Sequence, residues 1–173
     1  GMILSSKKFK EEVLKPFLRH TGPTLSPFNA WVLLKGMETM KLRVEAACNT
    51  AAKIADALSG LSGIERVYYP HHESHAQYKL AKAQMKMGGT MVAFDVKGAK
   101  AEAFNVLRKL KIIDISNNLG DAKSLITHPA TTTHKNIGPE ARAMMGIKDG
   151  NLRLSVGLED ASDLIGDLKQ ALR

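Results

Sequence analysis

The chain has 173 residues, 44% of them hydrophobic and 5% aromatic, which suits one ordinary domain or a small domain joined to part of another. Its one cysteine, Cys48, excludes an intrachain disulfide and indicates a reducing compartment. The net charge of +8 is spread along the chain without a block of like charges, which argues against nucleic-acid binding. Since the apolar runs are also too short to span a membrane, we expect a cytoplasmic protein with neither nucleic-acid nor membrane partners.

The first part of the chain carries helical periodicity. Lys7–Arg19 predicts a helix that Pro16 should kink or end. Ser26 followed by a proline is a helix-start signal. The residues after it are apolar on nearly all sides, which predicts a buried helix. Beyond Gly36, apolar residues at steps of three and four predict a long helix over 37–58 that suits a connector between domains.

Beyond Gly63 the pattern becomes an alternation of strands and helices. Predicted strands cover 64–69, 90–96, 112–116, 124–127 and 151–158, and predicted helices cover 74–87, 99–110, 139–145 and a last segment capped by Asp160 or Ser162. We place a domain boundary near Leu61, with helices before it and an α+β unit after it.

Arg153 is the first candidate for a functional side chain. Alternation along its strand places it opposite Leu152, Leu154 and Val156. A solvent-facing arginine is the plainer interpretation. The functional alternative is a rigid guanidinium fork that binds a carboxylate through two parallel hydrogen bonds.

Three other groups of residues allow two interpretations each. The hydroxyl-rich segment 124–134 is either an irregular connection or a wall facing a cofactor or substrate. The histidines of 71–75 could bind a metal, but their position across a loop and a helix start favours a solvated loop. Lys35 and Lys123 could in principle form a Schiff base, although nothing nearby in sequence desolvates either amine.

Three longer stretches resemble one known family. Residues 22–43 read GPTLSPFNAWVLLKGMETMKLR, residues 118–134 read NLGDAKSLITHPATTTH, and residues 152–160 read LRLSVGLED. All three are similar, in the same order, to motifs of the Cys/Met-metabolism family of pyridoxal-phosphate enzymes. Weaker similarity elsewhere extends the resemblance over nearly the whole chain.

This resemblance implies a fold and an activity. The fold class is α+β: residues 1–60 would be the end of the large domain and a connector helix, and 61–173 the C-terminal small domain of a fold-type I transferase. The residues of the 118–134 motif imply γ-replacement, in which sulfide and an O-succinylated homoserine give homocysteine during methionine biosynthesis. A γ-synthase or γ-lyase of the family, or a non-catalytic module that binds itself or a partner, are the alternatives.

The resemblance also assigns roles to single residues. Arg153 matches the arginine that binds the α-carboxylate of the amino-acid substrate. Ser124 matches the serine beside it, a substrate-binding residue whose hydroxyl or backbone lines the pocket. Four further residues match positions of structural support, namely Thr133, His134, Thr39 and Arg43.

The family's cofactor lysine has no match in this chain. In the family it lies in an S-x-x-K stretch shortly before a segment that Met2–Ser6 resembles. We therefore expect that the chain alone is inactive and binds pyridoxal phosphate weakly or not at all. Its helices over 7–58 should expose apolar faces, which predicts a homo-oligomer.

Overall fold

The computed structural model describes residues 3–173. Gly1 and Met2 lie outside the described residues, and with them the beginning of the predicted segment 2–6. The chain divides into two compact units, one ending at Met40 and the other comprising Lys41–Arg173. This division precedes the predicted boundary near Leu61, because the second half of the connector helix packs in the core of the second unit. The domains 1–60 and 61–173 stay a prediction about a longer family fold.

The five predicted strands are all present, whereas the helix predicted over 74–87 is shorter. The helices are α1 (Lys7–Phe9), α2 (Lys15–Thr21), α3 (Pro27–Glu38), α4 (Met40–Ser59), α5 (Tyr78–Gln84), α6 (Ala99–Lys109), α7 (Gly138–Met144) and α8 (Ala161–Ala171). The strands are β1 (Ile64–Tyr68), β2 (Met91–Val96), β3 (Asp114–Ile115), β4 (Leu125–Thr127) and β5 (Asn151–Ser155). In the part of the chain described, no helix has both the length and the apolar character needed to cross a membrane.

The first helix of the chain tolerates its proline. A π-helical segment, Lys10–Leu14, joins α1 to α2, and the helical path continues past Pro16 to Thr21. A proline lacks the amide that would donate the i to i−4 hydrogen bond, and the wider π-helical turn before Pro16 accommodates that loss. Pro16 therefore does not end the helix. The helix ends instead at Gly22, whose φ of 76° is the left-handed conformation of a helix C-cap.

Helix α3 begins where the sequence predicts. The Ser26 hydroxyl accepts a hydrogen bond of 3.2 Å from the Asn29 amide. The helix then runs through Gly36 and ends at Glu38, with Thr39 as its C-cap. Its predicted burial is wrong: none of its residues is buried, and Trp31 is 56% exposed. The apolar pattern identifies a helix that can be covered on every side, but none of the described residues 3–40 is buried, so they form no core around it.

The second unit is a five-stranded sheet with helices on one face. Its strand order is β1-β2-β5-β4-β3, and only the β3–β4 pair is parallel. The inward side chains of β2, β4 and β5 form one core with α4, α6 and α8. The fully buried residues of that core include Val92, Phe94, Ile126, Leu152, Leu154, Ile54, Val106 and Leu164.

Tyr69 joins helix α4 to the turn before β2. Its hydroxyl donates to the Gly89 carbonyl at 3.0 Å and lies 3.3 Å from the Cys48 carbonyl. Burial raises the pKa of Tyr69 to about 12 and also raises the pKa of the Cys48 thiol, so Cys48 is a packing residue. A Cβ at Gly88 would lie 2.5 Å from the Tyr69 ring, which restricts that position to glycine.

Asp167 fixes the segment between α6 and β3. Its carboxylate is 4% exposed and accepts amide hydrogen bonds from Lys111 at 2.9 Å, Ile112 at 2.9 Å and Ile113 at 3.1 Å. Burial raises the pKa of Asp167, but the three amides and Gln170 outweigh that effect and lower it below its usual value. Helix α8 is thereby tied to the entrance of β3.

We expect Asp167→Asn to lower the free energy of unfolding by about 2 kcal/mol at pH 7, since buried amides lose a charged acceptor. Asp163→Asn, at an exposed position in the first turn of the same helix, is the control and should cost much less, since it loses only the favourable interaction of its charge with the helix dipole. Because the folded pKa of Asp167 is lowered, its contribution is present above about pH 4 and lost as the pH falls through the folded value. Urea unfolding followed by circular dichroism should show this difference in unfolding free energy between the unmodified chain and Asp167→Asn at pH 7, and a smaller difference in acid. Equal unfolding free energies at pH 7 would contradict the stabilising role of Asp167.

Candidate functional site

Arg153 lies at the centre of the sheet face that is turned away from the helices. It is paired with Ala93 on β2 and with Thr127 on β4. Directly opposed residues of antiparallel strands share a face, so these three side chains form one row across the sheet. Leu152 and Leu154, its neighbours along β5, are fully buried on the helical side. The predicted alternation around Arg153 is confirmed.

The Arg153 guanidinium is held by a main-chain carbonyl. Its Nη2 donates to the Asn117 carbonyl oxygen at 2.9 Å. Among residues 3–173, no carboxylate lies within 4.0 Å of this guanidinium. A guanidinium has five N–H donors in a planar fork. Donors therefore remain for a planar anion on the half-exposed side of Arg153.

Asn117 belongs to the loop between β3 and β4. We call residues 116–123 of this loop the arch. The Asn117 side-chain oxygen accepts a hydrogen bond of 2.9 Å from the Thr127 hydroxyl. Further along the arch, the Gly120 amide donates to the Ser155 hydroxyl at 3.0 Å. Two side chains of the sheet thus hold the arch over β4 and β5, and Arg153 is the third contact.

The structure does not bring Ser124 to Arg153. Ser124 is fully buried, and its hydroxyl donates to Glu159 Oε2 at 2.7 Å and accepts from the Gly157 amide at 2.9 Å. Its own amide donates to Glu159 Oε1 at 2.6 Å. Because the residue opposite Arg153 is Thr127, the geometry gives Ser124 a supporting role in the turn that follows β5.

That turn is closely packed. The Leu158 amide donates to the Ala122 carbonyl at 2.8 Å. A Cβ at Gly157 would lie 2.4 Å from the same carbonyl oxygen and 2.6 Å from Glu159 Oε2. The glycine of the LRLSVGLED stretch is therefore required by the approach of two backbones, and the turn fixes the end of β5 against the start of β4.

The four predicted support residues lie in two places. Thr133 and His134 follow the 3-10 turn after β4, and the Thr133 hydroxyl is 2.8 Å from His134 Nδ1. Thr39 is the C-cap of α3, and Arg43 lies half-buried in the first turns of α4. Neither Thr133 nor His134 is hydrogen-bonded to Arg153 within the part of the chain that the structure describes, and the support roles of all four residues stay predictions.

His128 is a structural residue that the sequence did not reveal. It is 2% exposed, with Nε2 2.8 Å from the Asp149 carbonyl and Nδ1 2.9 Å from the Thr131 hydroxyl. Since a carbonyl can only accept, Nε2 carries a proton. The Phe104 ring packs on the imidazole edge-on at 5.2 Å. No local sequence pattern distinguishes His128 from the other, less buried histidines. Its burial results from its position directly after β4 in the sheet.

The histidines of the segment 71–75 bind separate partners. His72 Nδ1 lies 2.7 Å from the Ser74 hydroxyl, and His75 Nδ1 accepts from the Gln77 amide at 3.2 Å. His71 Nε2 lies 3.4 Å from the Ala81 carbonyl. Within the described part of the chain, no group of three potential metal ligands converges.

The lysines do not fit a covalent cofactor site. Every lysine of the chain lies on the exposed surface, where nothing desolvates an amine for nucleophilic attack. Lys35 pairs with Glu38 at 3.1 Å and Lys123 with Asp114 at 3.4 Å. The salt bridge to Glu65 raises the pKa of Lys148, the opposite of what a nucleophile needs. No lysine of the chain therefore has the desolvated setting of a Schiff-base amine.

Comparison with curated proteins finds relatives more than twice as long. The chain is 53% identical over 178 residues to the O-succinylhomoserine sulfhydrylase of Mycobacterium tuberculosis, covering 99% of this chain and 43% of that protein. It is 47% identical over 172 residues to the enzyme of the same name from Pseudomonas aeruginosa, covering 99% and 42%. An L-methionine gamma-lyase of Treponema denticola is 43% identical over 173 residues, covering 99% and 43%. The chain thus spans less than half the length of these relatives.

Comparison with solved structures also finds longer chains that share this fold. A Campylobacter jejuni protein described as an O-acetylhomoserine (thiol)-lyase, which carries N'-pyridoxyl-lysine-5'-monophosphate, matches with a TM-score of 0.90 and 38% identity, covering 98% of this chain and 40% of that one. A cystathionine gamma lyase of Micromonospora echinospora matches with a TM-score of 0.90 and 30% identity, covering 98% and 44%. Both confirm the predicted fold class. Since the family profile described as Cys/Met metabolism PLP-dependent enzyme also matches residues 1–173, the chain belongs to that family.

Proposed function

We propose that the chain is the C-terminal portion of a cytoplasmic O-succinylhomoserine sulfhydrylase, in which it binds the carboxylate end of the amino-acid substrate. In that reaction the bond between the substrate γ-carbon and the succinyl oxygen breaks, a bond to sulfide sulfur forms, and homocysteine and succinate are released. The observation that carries the proposal is the guanidinium of Arg153, which has no carboxylate partner among residues 3–173 and stands half-exposed on a rigid strand. The relatives at 53% and 47% identity support the choice of reaction.

Arg153 would orient the amino-acid substrate through its carboxylate. A carboxylate bound by two parallel N–H donors has one allowed plane and direction, so the rest of the amino acid points one way from the sheet. A central strand holds that fork more rigidly than a loop does. Pyridoxal phosphate, when bound in the complete enzyme, supplies the electron sink for the chemistry at the substrate carbons.

A γ-lyase or a cystathionine γ-synthase is the second candidate within the family. The 43% identity to an L-methionine gamma-lyase supports it. The sulfhydrylase and the second candidate both act on α-amino acids, so both need the carboxylate fork. They differ in the group that is lost or replaced at the γ-carbon. Activity assays of the complete enzyme with O-succinylhomoserine and with methionine separate them.

A non-catalytic module of the same descent is the third candidate. The apolar surface of the first unit supports it, since no residue among 3–40 is buried. We propose that this surface makes the isolated chain self-associate, because exposed apolar area of this extent is unusual for a monomer.

Replacing Arg153 should remove carboxylate binding. We expect Arg153→Met to weaken binding of O-succinyl-L-homoserine to the chain by ~10-fold or more, since a charged hydrogen-bonded contact is lost. Arg108→Met, an exposed arginine of α6, is the matched control and should bind as the unmodified chain does. Chemical-shift titration of the isotope-labelled chain measures both. Equal binding by Arg153→Met contradicts the proposal.

The chain alone should not bind pyridoxal phosphate covalently at one lysine. We expect the absorbance of a mixture to equal the sum of its components, because every amine is hydrated. Borohydride reduction followed by peptide mass spectrometry then finds scattered modification far below one equivalent. Stoichiometric labelling of one lysine would instead identify a complete cofactor site in this chain.

Self-association should depend on helix α3. We expect the double substitution Leu33→Lys and Leu34→Lys, at positions 57% and 58% exposed, to shift the chain toward monomer because it places charge on the apolar surface. Leu80→Lys, at a position 48% exposed on α5, is the control. Sedimentation velocity over a range of concentrations measures the shift. A monomeric unmodified chain, or equal effects of both changes, contradicts the role of α3.

A further inference from the structure

We propose that Thr127 and Asn117 are positioning residues for Arg153. The Thr127 hydroxyl holds the Asn117 side chain, and this contact directs the Asn117 main-chain carbonyl onto the guanidinium. A hydroxyl on β4 would therefore set the orientation of the carboxylate fork on β5. The inference rests on the proposed function only for the identity of the anion; the positioning itself concerns residues of this chain.

The register of the sheet supports the first contact. Thr127 is paired directly with Arg153 across β4 and β5, on the same face. Its side chain is 1% exposed, although it lies at the end of a strand three residues long. A buried hydroxyl needs a hydrogen-bond partner, and Thr127 donates to Asn117 Oδ1 at 2.9 Å. Thr132 Oγ1 lies 2.9 Å from the same hydroxyl.

The second contact is made by the backbone of Asn117. Its carbonyl oxygen, not its side chain, accepts from Arg153 Nη2 at 2.9 Å. One residue thus joins Thr127 through its side chain and Arg153 through its main chain. Asn117 itself is exposed and lies in the arch, so without the Thr127 contact the carbonyl would follow the motion of a surface loop.

The carbonyl matters because an arginine side chain has several free torsions. An acceptor at one Nη fixes the plane of the guanidinium before a ligand arrives. A fork that is already oriented loses less conformational freedom on binding, and the affinity rises accordingly. Ser124, which the resemblance places beside Arg153 as a substrate-binding residue, is fully buried and is hydrogen-bonded to Gly157 and Glu159.

Two substitutions each remove one partner of the hydrogen bond between Thr127 and Asn117. Thr127→Val removes the hydroxyl and keeps the shape of the side chain, while Asn117→Ala removes Oδ1 and keeps the carbonyl. Each should weaken binding of O-succinyl-L-homoserine by ~3- to 10-fold, and the double variant should be no weaker than either single one. Thr127→Ser should restore binding. Thr24→Val, at an exposed threonine outside the sheet whose hydroxyl lies 3.4 Å from the Gly22 carbonyl, is the control and should change nothing.

The test has a readout that does not depend on the ligand. Nitrogen-detected NMR of the labelled chain reports rotation and hydrogen exchange of the Arg153 guanidinium, which should be slow in the unmodified chain and in Thr127→Ser and faster in Thr127→Val. Circular dichroism of each variant confirms that the sheet is folded. A Thr127→Val chain that fails to fold transfers the comparison to Asn117→Ala, which changes an exposed residue of the arch.

The outcomes separate the two claims. An unmodified chain that binds no O-succinyl-L-homoserine overturns the proposed function, and slow guanidinium exchange that Asn117→Ala accelerates still supports the positioning. Binding that Arg153→Met abolishes but neither Thr127→Val nor Asn117→Ala affects overturns the positioning and supports the proposed function. Equal guanidinium exchange in all variants overturns the positioning in either case.

Discussion

The antiparallel pairing of β4 with β5 is the constraint on which the candidate site depends. Its register places Thr127 opposite Arg153 and Leu125 opposite Ser155. A slip of one residue would turn the guanidinium toward the helices, since neighbouring side chains of a strand point to opposite faces. Hydrogen bonding fixes the pair at both ends, through Ser124 and Glu159 at one end and through His128 and the Asp149 carbonyl at the other.

Much of this arrangement follows from local sequence, and some of it does not. Alternation within β5 predicts the direction of Arg153 because it depends on neighbouring residues alone. The choice between Ser124 and Thr127 as the neighbour of Arg153 depends on cross-strand register, which no local pattern contains. The burial predicted for α3 was wrong for a related reason: periodicity describes which side chains can be covered, and covering them requires another layer.

Buried and half-buried carboxylates hold the strands of this sheet together. Asp167 accepts three amides before β3, and Glu159 accepts the amide and hydroxyl of Ser124 before β4. Asp95, fully buried on β2, accepts from Tyr68 on β1 at 2.7 Å and from Asn151 on β5 at 2.8 Å. Strands of two or three residues have few ladder hydrogen bonds, so charged acceptors at their ends supply the missing connections.

Under the proposed function, the position of the fork is compatible with relatives that carry different names. Proteins named as sulfhydrylases and as methionine gamma-lyases match this chain over almost its full length. The carboxylate is the part that α-amino-acid substrates have in common, whereas the groups lost from the γ-carbon differ. Under the proposed function, a fork fixed by Asn117 and Thr127 selects the class of substrate. The choice among γ-substituents must then lie with residues on the other side of the substrate, because a rigid contact at one end cannot distinguish ligands that differ only at the other.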